Sequence, residues 1–333
     1  MIANPAALFA LLDDNVSYDQ SYGAGLSNHL PMALGALALL GADDGRLLEF
    51  HAHSSRKLRP ATDDGYIVTR ANWAHRLGER DAFAAYRRYY DSELRRALAT
   101  DIVNNAVSML AGGIGGAAFH ALIELGYGLR LNHRGEIAAG LASLASCWMP
   151  LGELQKLDFD ATIAERVAVL RLKVGTPRTW PSDGLISSRM EAVASQAGFG
   201  RHAALPEGLK LSDIAAFAAE SYWHQPNFTL LHLVTGCNAL GRVIAAGVPE
   251  SAVLPGFWQA FCAATLTVPM ADKLVTLPVP SRLPDWPTIR DRAIASDDDH
   301  VIKLVQVCDE NYQETGKSLH QAIAAREIES RAG

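Results

Sequence analysis

Asp81-Ala82-Phe83-Ala84-Ala85-Tyr86-Arg87-Arg88-Tyr89-Tyr90-Asp91-Ser92-Glu93-Leu94-Arg95-Arg96-Ala97-Leu98-Ala99-Thr100 repeats its large apolar side chains at steps of three and four residues. Phe83, Tyr86, Tyr90, Leu94 and Leu98 therefore share one face of a helix. The same reading extends to Asp160–Leu172, Ser212–Trp223, Phe228–Ala246 and Ser318–Ser330, with Ser212 and Ser318 placed as N-caps. Leu30–Ala42 is nearly free of charge but too short for a membrane span of about 20 residues, and reads as a buried helix. Alanine is abundant and runs of period two are few. The expected fold is all-α with long loops and at most a few short strands.

Two breaks interrupt this pattern, Gly175-Thr176-Pro177 through Gly184 and the proline-rich stretch Leu277 to Pro287. Neither is long or polar enough to be a flexible tether. With 30 Lys+Arg against 36 Asp+Glu, the net charge of −6 argues against a nucleic-acid partner. Cys147, Cys237, Cys262 and Cys308 form no CxxC pair and read as reduced thiols of a cytoplasmic protein. Met1-Ile2-Ala3-Asn4-Pro5 has no basic leader character, and no membrane partner is expected.

Histidine carries the chemical question, with 11 in the chain. His29 follows Asn28, a natural N-cap, and precedes an apolar helix with Pro31 in its first turn. His120 follows Gly112-Gly113-Ile114-Gly115-Gly116, whose glycines suit close packing better than a phosphate, because no strand precedes them and GxGxxG is incomplete. Glu124 lies one turn after His120 on the same face, placed either to orient its ring or simply to form a polar pair. His232 sits inside an apolar helix, where a histidine needs a partner. His300 follows Asp297-Asp298-Asp299, a triplet suited to a helix N-terminus, and shares a face with Lys303. Asp299, like Glu124, is a candidate to fix an imidazole tautomer. Each histidine alone reads more readily as a capping or hydrogen-bonded core residue than as a ligand. Four on separate apolar helices resemble the inward-facing ligand sets of metal-binding bundles. His51, His53, His75, His133, His202 and His320 read as surface residues, and His224, beside Tyr222 and Trp223, as a pocket or supporting group.

Ser27-Asn28-His29-Leu30-Pro31-Met32, Phe119-His120-Ala121-Leu122-Ile123-Glu124-Leu125-Gly126-Tyr127-Gly128, Leu231-His232-Leu233-Val234-Thr235 and His300-Val301-Ile302-Lys303, in that order, resemble the questin oxidase-like family. That family includes fungal enzymes that oxygenate and open quinone rings of anthraquinone-like polyketides. The resemblance implies a non-haem Fe(II) oxygenase with His29, His120, His232 and His300 as ligands and Lys303 as a carbamate ligand. Lys303, Glu124 and His224 are its candidate catalytic groups, and dioxygen and an aromatic molecule its partners. Tyr222, Trp223, Phe257 and Trp258 are the expected substrate wall. Two alternatives accompany it: a metal-free oxygenase using histidine acid–base groups, with NADPH only weakly supported by the sequence, and a non-catalytic binder of an aromatic molecule. Because the expected ligands run from 29 to 303, the chain 1–333 is read as one helical domain. Oligomeric state leaves no mark in the sequence.

Overall fold

The computed structural model describes residues 6–157, 159–269 and 277–330. The leader reading at Met1–Pro5 lies outside the described residues. Sixteen α-helices are present among those described. In the first half they are α1 (Ala6–Asp14), α2 (Leu30–Leu40), α3 (Asp44–Ser54), α4 (Phe83–Arg96), α5 (Ala99–Leu110), α6 (His120–Leu131), α7 (Arg134–Ser146) and α8 (Ile163–Lys173). The second half contains α9 (Ile186–Ala194), α10 (Phe199–His202), α11 (Leu211–His224), α12 (Phe228–Ala245), α13 (Glu250–Leu266), α14 (Trp286–Ile294), α15 (Asp299–Thr315) and α16 (Ser318–Ser330). Two short strands, β1 (Ser21–Tyr22) and β2 (Leu26–Ser27), make an antiparallel hairpin with Ser21 opposite Ser27 and Tyr22 opposite Leu26. The all-α expectation holds.

Local chemistry sets the ends of these elements. The expected helix over Asp81–Thr100 is two helices: α4 stops at Arg96, and extended Ala97 turns the chain into α5. Leu98, at the junction, is 71% exposed and leaves the apolar face that the spacing gave it. The start of α8 is held by a capping box in which Thr162 and Glu165 bond each other's backbone amides. Ser212 is not a cap but the second residue of α11, where the Asp213 carboxylate accepts from the Lys210 amide instead. Trp286 and Pro287, read as loop, open α14 behind the Asp285 cap, since proline is tolerated where the amide would be unpaired.

α2, α6, α12 and α15 form a closed ring, with α2 against α6 and α15, and α12 against the same two. One continuous buried cluster runs from Leu8 to Ile328 and draws on helices along the whole chain. α12 alone among the described residues is long and apolar enough to cross a membrane, and two thirds of it is buried inside the protein. The free thiols Cys237, Cys262 and Cys308 are buried, and Cys147 is partly so.

Backbones approach closely around the 112–116 glycines. A Cβ on Gly116 would stand 1.9 Å from the Cys147 carbonyl oxygen, and one on Gly115 2.4 Å from the Ala260 Cβ. These glycines are packing contacts, and neighbouring side chains and backbone fill the space a phosphate would need. Gly112, by contrast, has nothing within 4 Å of its Cβ position. Gly116→Ala is expected to destabilise the protein by roughly 1–3 kcal/mol through overpacking. Gly112→Ala should stay near wild type, and chemical denaturation of the two variants separates the outcomes.

Candidate metal centre

All four singled-out histidines stand in the N-terminal stretch of a helix in the four-helix ring. His29 caps α2, His120 is the first residue of α6, His232 the fifth of α12 and His300 the second of α15. Asn28 Oδ1 accepts from the Leu30 amide, so the asparagine closes the α2 turn while His29 takes the cap position. Asp298 caps α15, accepting from the His300 and Val301 amides.

His120 is aimed by a strained backbone. Ala117, Ala118 and Phe119 have φ of 50°, 53° and 68°, three consecutive left-handed residues with none of them glycine. Each such residue costs roughly 1–2 kcal/mol, and strain of this kind gathers at functional sites. Its local result is that the Ala117 carbonyl accepts from His120 Nδ1 at 2.6 Å.

The other rings are anchored through the same nitrogen. His232 Nδ1 donates to the Phe228 carbonyl at 2.5 Å. One Asp299 oxygen accepts from His29 Nδ1 at 2.7 Å and from His300 Nδ1 at 3.0 Å. Carbonyl and carboxylate oxygens only accept, so all four protons of the neutral rings reside on Nδ1. Every Nε2 is then a bare lone pair. Yet His29 Nε2 and His120 Nε2 are 2.8 Å apart, and His120 Nε2 and His232 Nε2 3.1 Å. A ring nitrogen each from His29, His120 and His300 also lies within 4.8 Å of the others.

Lone pairs facing each other at such distances repel unless a cation lies among them. Burial disfavours the proton as that cation: it pushes His29 down to about 3, helped by Lys303, and holds His120 and His232 well below 6.5. A metal fits. Two nitrogens bound at about 2.1 Å to one ion, at angles of 90–109°, sit about 3.0–3.4 Å apart. Neutral imidazoles also suit iron, copper, zinc and nickel.

Lys303, 3% exposed, lies 3.4 Å from Asp299 Oδ1, and Lys57 reaches Oδ2 at 3.6 Å. Burial opposes the Asp299 charge, but Lys303 and the His29 and His300 N–H groups hold its carboxyl far below the usual range. Burial lowers the Lys303 amine against the pull of Asp299.

A cavity of about 540 Å³ opens onto the cluster. The four histidines and Asp299 border it, with Tyr22, Leu26, Ala118, Ile186, Phe228 and Val268 as apolar wall. The Phe228 ring meets His300 edge-on, 4.9 Å between centroids.

The structure thus brings together His29, His120, His232, His300 and Lys303. It does not bring the expected wall to them. Tyr222 donates its hydroxyl to Glu327 Oε2 at 2.5 Å, and Trp223 lies under Arg326. Phe257 packs on Phe119, while Trp258 stacks on Phe261 and donates to the Ala204 carbonyl. All four serve the core around α11 and α13. His224, half-buried at the end of α11, is absent from the cavity lining. Nor does Glu124 orient His120, whose Nδ1 is committed to Ala117; Glu124 accepts from Ser143 Oγ at 2.7 Å instead. His133 and His320, read as surface, are buried, the first as the cap of α7 accepting from the Glu136 amide. The 117–119 strain and Phe228 escaped the sequence reading, whereas Asp299 fixes imidazole tautomers as expected, on His29 and His300 together. Only Asp299, beside His300, had a local signal.

Residues 26–183 match the family model described as Questin oxidase-like. Over that stretch, a little under half of the chain, the sequence is similar to that family. The match takes in His29 and His120; His232, His300 and Lys303 lie beyond it and join the cluster through the fold. Among curated proteins the chain has no match.

Two predictions follow from this geometry. Burial raises Glu124 from 4.5 to about 7 and raises its neighbour Glu136 also. A carboxyl whose pKa rises on folding contributes stability below its unfolded pKa that is lost as pH climbs through the folded value. Glu124→Gln should therefore flatten the fall in melting temperature between about pH 4.5 and 7, and melt above wild type at pH 8. Ala118→Gly removes roughly 1–2 kcal/mol of left-handed strain against about 0.5–1 kcal/mol of added chain entropy. It should melt slightly higher than wild type, whereas β-branched Ala118→Val should melt lower.

Proposed function

We propose that the chain is a non-haem iron oxygenase that inserts oxygen into, or opens, the ring of an anthraquinone-like aromatic molecule. The Questin oxidase-like match suggests oxygenase-type activity. The observation that carries the metal is the convergence of bare Nε2 lone pairs at 2.8 and 3.1 Å in a largely buried cluster. His29, His120, His232 and His300 would hold the ion, each locked by its Nδ1 partner so that no ring has to turn on binding. Iron is chosen over zinc because an oxygenase needs a redox-active ion, which when bound would let dioxygen react with the ring. The protein's part is to position and to exclude water. Phe228 and Tyr22 offer aromatic faces to a planar substrate, and a cavity of about 540 Å³ falls within the usual range for small-molecule sites.

Lys303 has two proposed states. As an ammonium it balances Asp299 and cannot bind a cation. As a neutral amine it would add carbon dioxide, lose one proton and become a carbamate whose oxygen is an anionic ligand. A metal-free route is the weaker reading, since imidazoles that burial holds below their ordinary value are poor bases for a phenol. No nicotinamide site is assigned. We place the protein in the cytoplasm, on the strength of its free thiols, and as one domain, because the cluster unites residues 29 to 303.

Protein purified without chelator should contain about one iron per chain, and His120→Ala should lose it. Lys303→Ala divides the two states: loss of iron with the fold intact supports the carbamate, and retained iron supports the counter-ion. Iron-free protein that still consumes oxygen with a hydroxyanthraquinone after chelation would sink the assignment. Tight binding without oxygen uptake would make the protein a binder rather than an enzyme.

A further inference from the structure

Several arginines of this protein are matched by carboxylates, Arg46 by Asp297 at 2.7 Å, Arg290 by Asp309 at 2.8 Å, and Arg242 by Glu310, while others, such as Arg87 and Arg166, donate to backbone carbonyls. Arg80 and Arg189, which line the histidine cavity, have no ion pair among the described residues. Arg80 is tethered rather than neutralised, its Nη1 donating to the Gly25 carbonyl at 3.0 Å while Gln20 donates to its backbone oxygen. Arg189 lies over the Trp180 ring at 6.0 Å, with its Nε buried and unpartnered. Asp183, the carboxylate that feels both charges, is exposed and already accepts from the Leu185 amide and Ser188 Oγ.

The charge balance of the cavity is therefore the reverse of the protein's. The whole chain carries −6. The cavity has one lining carboxylate, Asp299, against Arg80 and Arg189, with Lys57 and Lys303 beside that same carboxylate. Lys57 also stands over the Tyr22 ring, 5.3 Å from its centroid. A guanidinium left unpaired in a cleft is matched to a planar two-oxygen anion, which it binds bidentately. The aromatic faces of Tyr22 and Phe228 supply the other half of the recognition.

We infer that Arg80 and Arg189 form an anion subsite, so that the molecule bound over the histidines is an aromatic carboxylate. This rests on the oxygenase reading only for what happens to the ring; the subsite stands on the arginines. Anthraquinone-2-carboxylate and its uncharged methyl ester are the probes, titrated calorimetrically into the full chain with and without chelator.

The carboxylate should bind at least tenfold more tightly than the ester. Arg189→Gln and Arg80→Gln should each lose about tenfold for the carboxylate and leave the ester within about twofold. Using both guards against a folding defect in the Arg80 variant. Equal binding of the two probes, binding of neither, or a preference that survives both substitutions overturns the proposal. So does a preference abolished by His120→Ala and by chelator, because the carboxylate would then sit on the metal. If protein purified without chelator holds no iron and the preference is still present, the iron-oxygenase reading falls and the anion subsite stands.

Discussion

Two imidazole lone pairs set 2.8 Å apart need a positive charge beside them, and the rest of this molecule is arranged so that the charge is not a proton. Each Nδ1 is tied to an oxygen, which fixes the tautomer. The first turns of four helices meet here, and their dipoles disfavour imidazolium. Burial adds to the same effect. Asp299 supplies the one compensating negative charge, and Lys303 balances it, so the donor set is neutral without any ligand. Removing either partner of such a buried pair leaves an isolated charge, a change of about 3–5 kcal/mol. The cluster is thus a single electrostatic unit in which the charge of each member depends on the others.

Holding that unit requires backbone positions that ordinary helices do not supply. The left-handed run at Ala117–Phe119 turns the chain into α6 so that His120 starts the helix facing its partners. Alanine at 117 and 118 keeps the side chains small where the backbone is strained. The approach of Gly116 to the Cys147 carbonyl, and of Gly115 to Ala260, clamps the segment before it. Strain persists only where surrounding packing over-determines it. The ring of α2, α6, α12 and α15 provides this packing, since each of the four helices contacts two of the others.

The sequence made the helices legible because their apolar spacing is a local property, and it marked four histidines because burial in an apolar helix demands a partner. It could not show where a helix breaks for reasons of register, as at Ala97 and Leu98. The expected wall of Tyr222, Trp223, Phe257 and Trp258 failed for a related reason. Large aromatics near a candidate ligand in the chain are as often turned to the core, and each of these found a core partner. Glu124 was placed correctly on the helix face, but the left-handed turn before His120 gave the ring a closer acceptor. Left-handed φ at three alanine and phenylalanine positions leaves no compositional trace. Arg80 and Arg189 stand far apart in sequence in unremarkable loop and helix positions, and only the fold makes them neighbours of one cavity.

The same electrostatics constrain the two states of Lys303. As an ammonium it attracts Asp299; as a carbamate it would place a second anion beside the first. Two unit charges about 3.4 Å apart repel by on the order of 5 kcal/mol at an effective dielectric of about 20. With no ion present, that repulsion would disfavour the carbamate. A divalent cation among the Nε2 atoms reverses the sign, since it attracts both anions at once. If the proposed metal binds, carboxylation of Lys303 and metal binding would be one coupled equilibrium, in which each raises the affinity for the other by the same factor. On the proposed metal reading, the charge of the buried lysine would follow the occupancy of the site: the counter-ion of Asp299 when no metal is bound, and a ligand when one is.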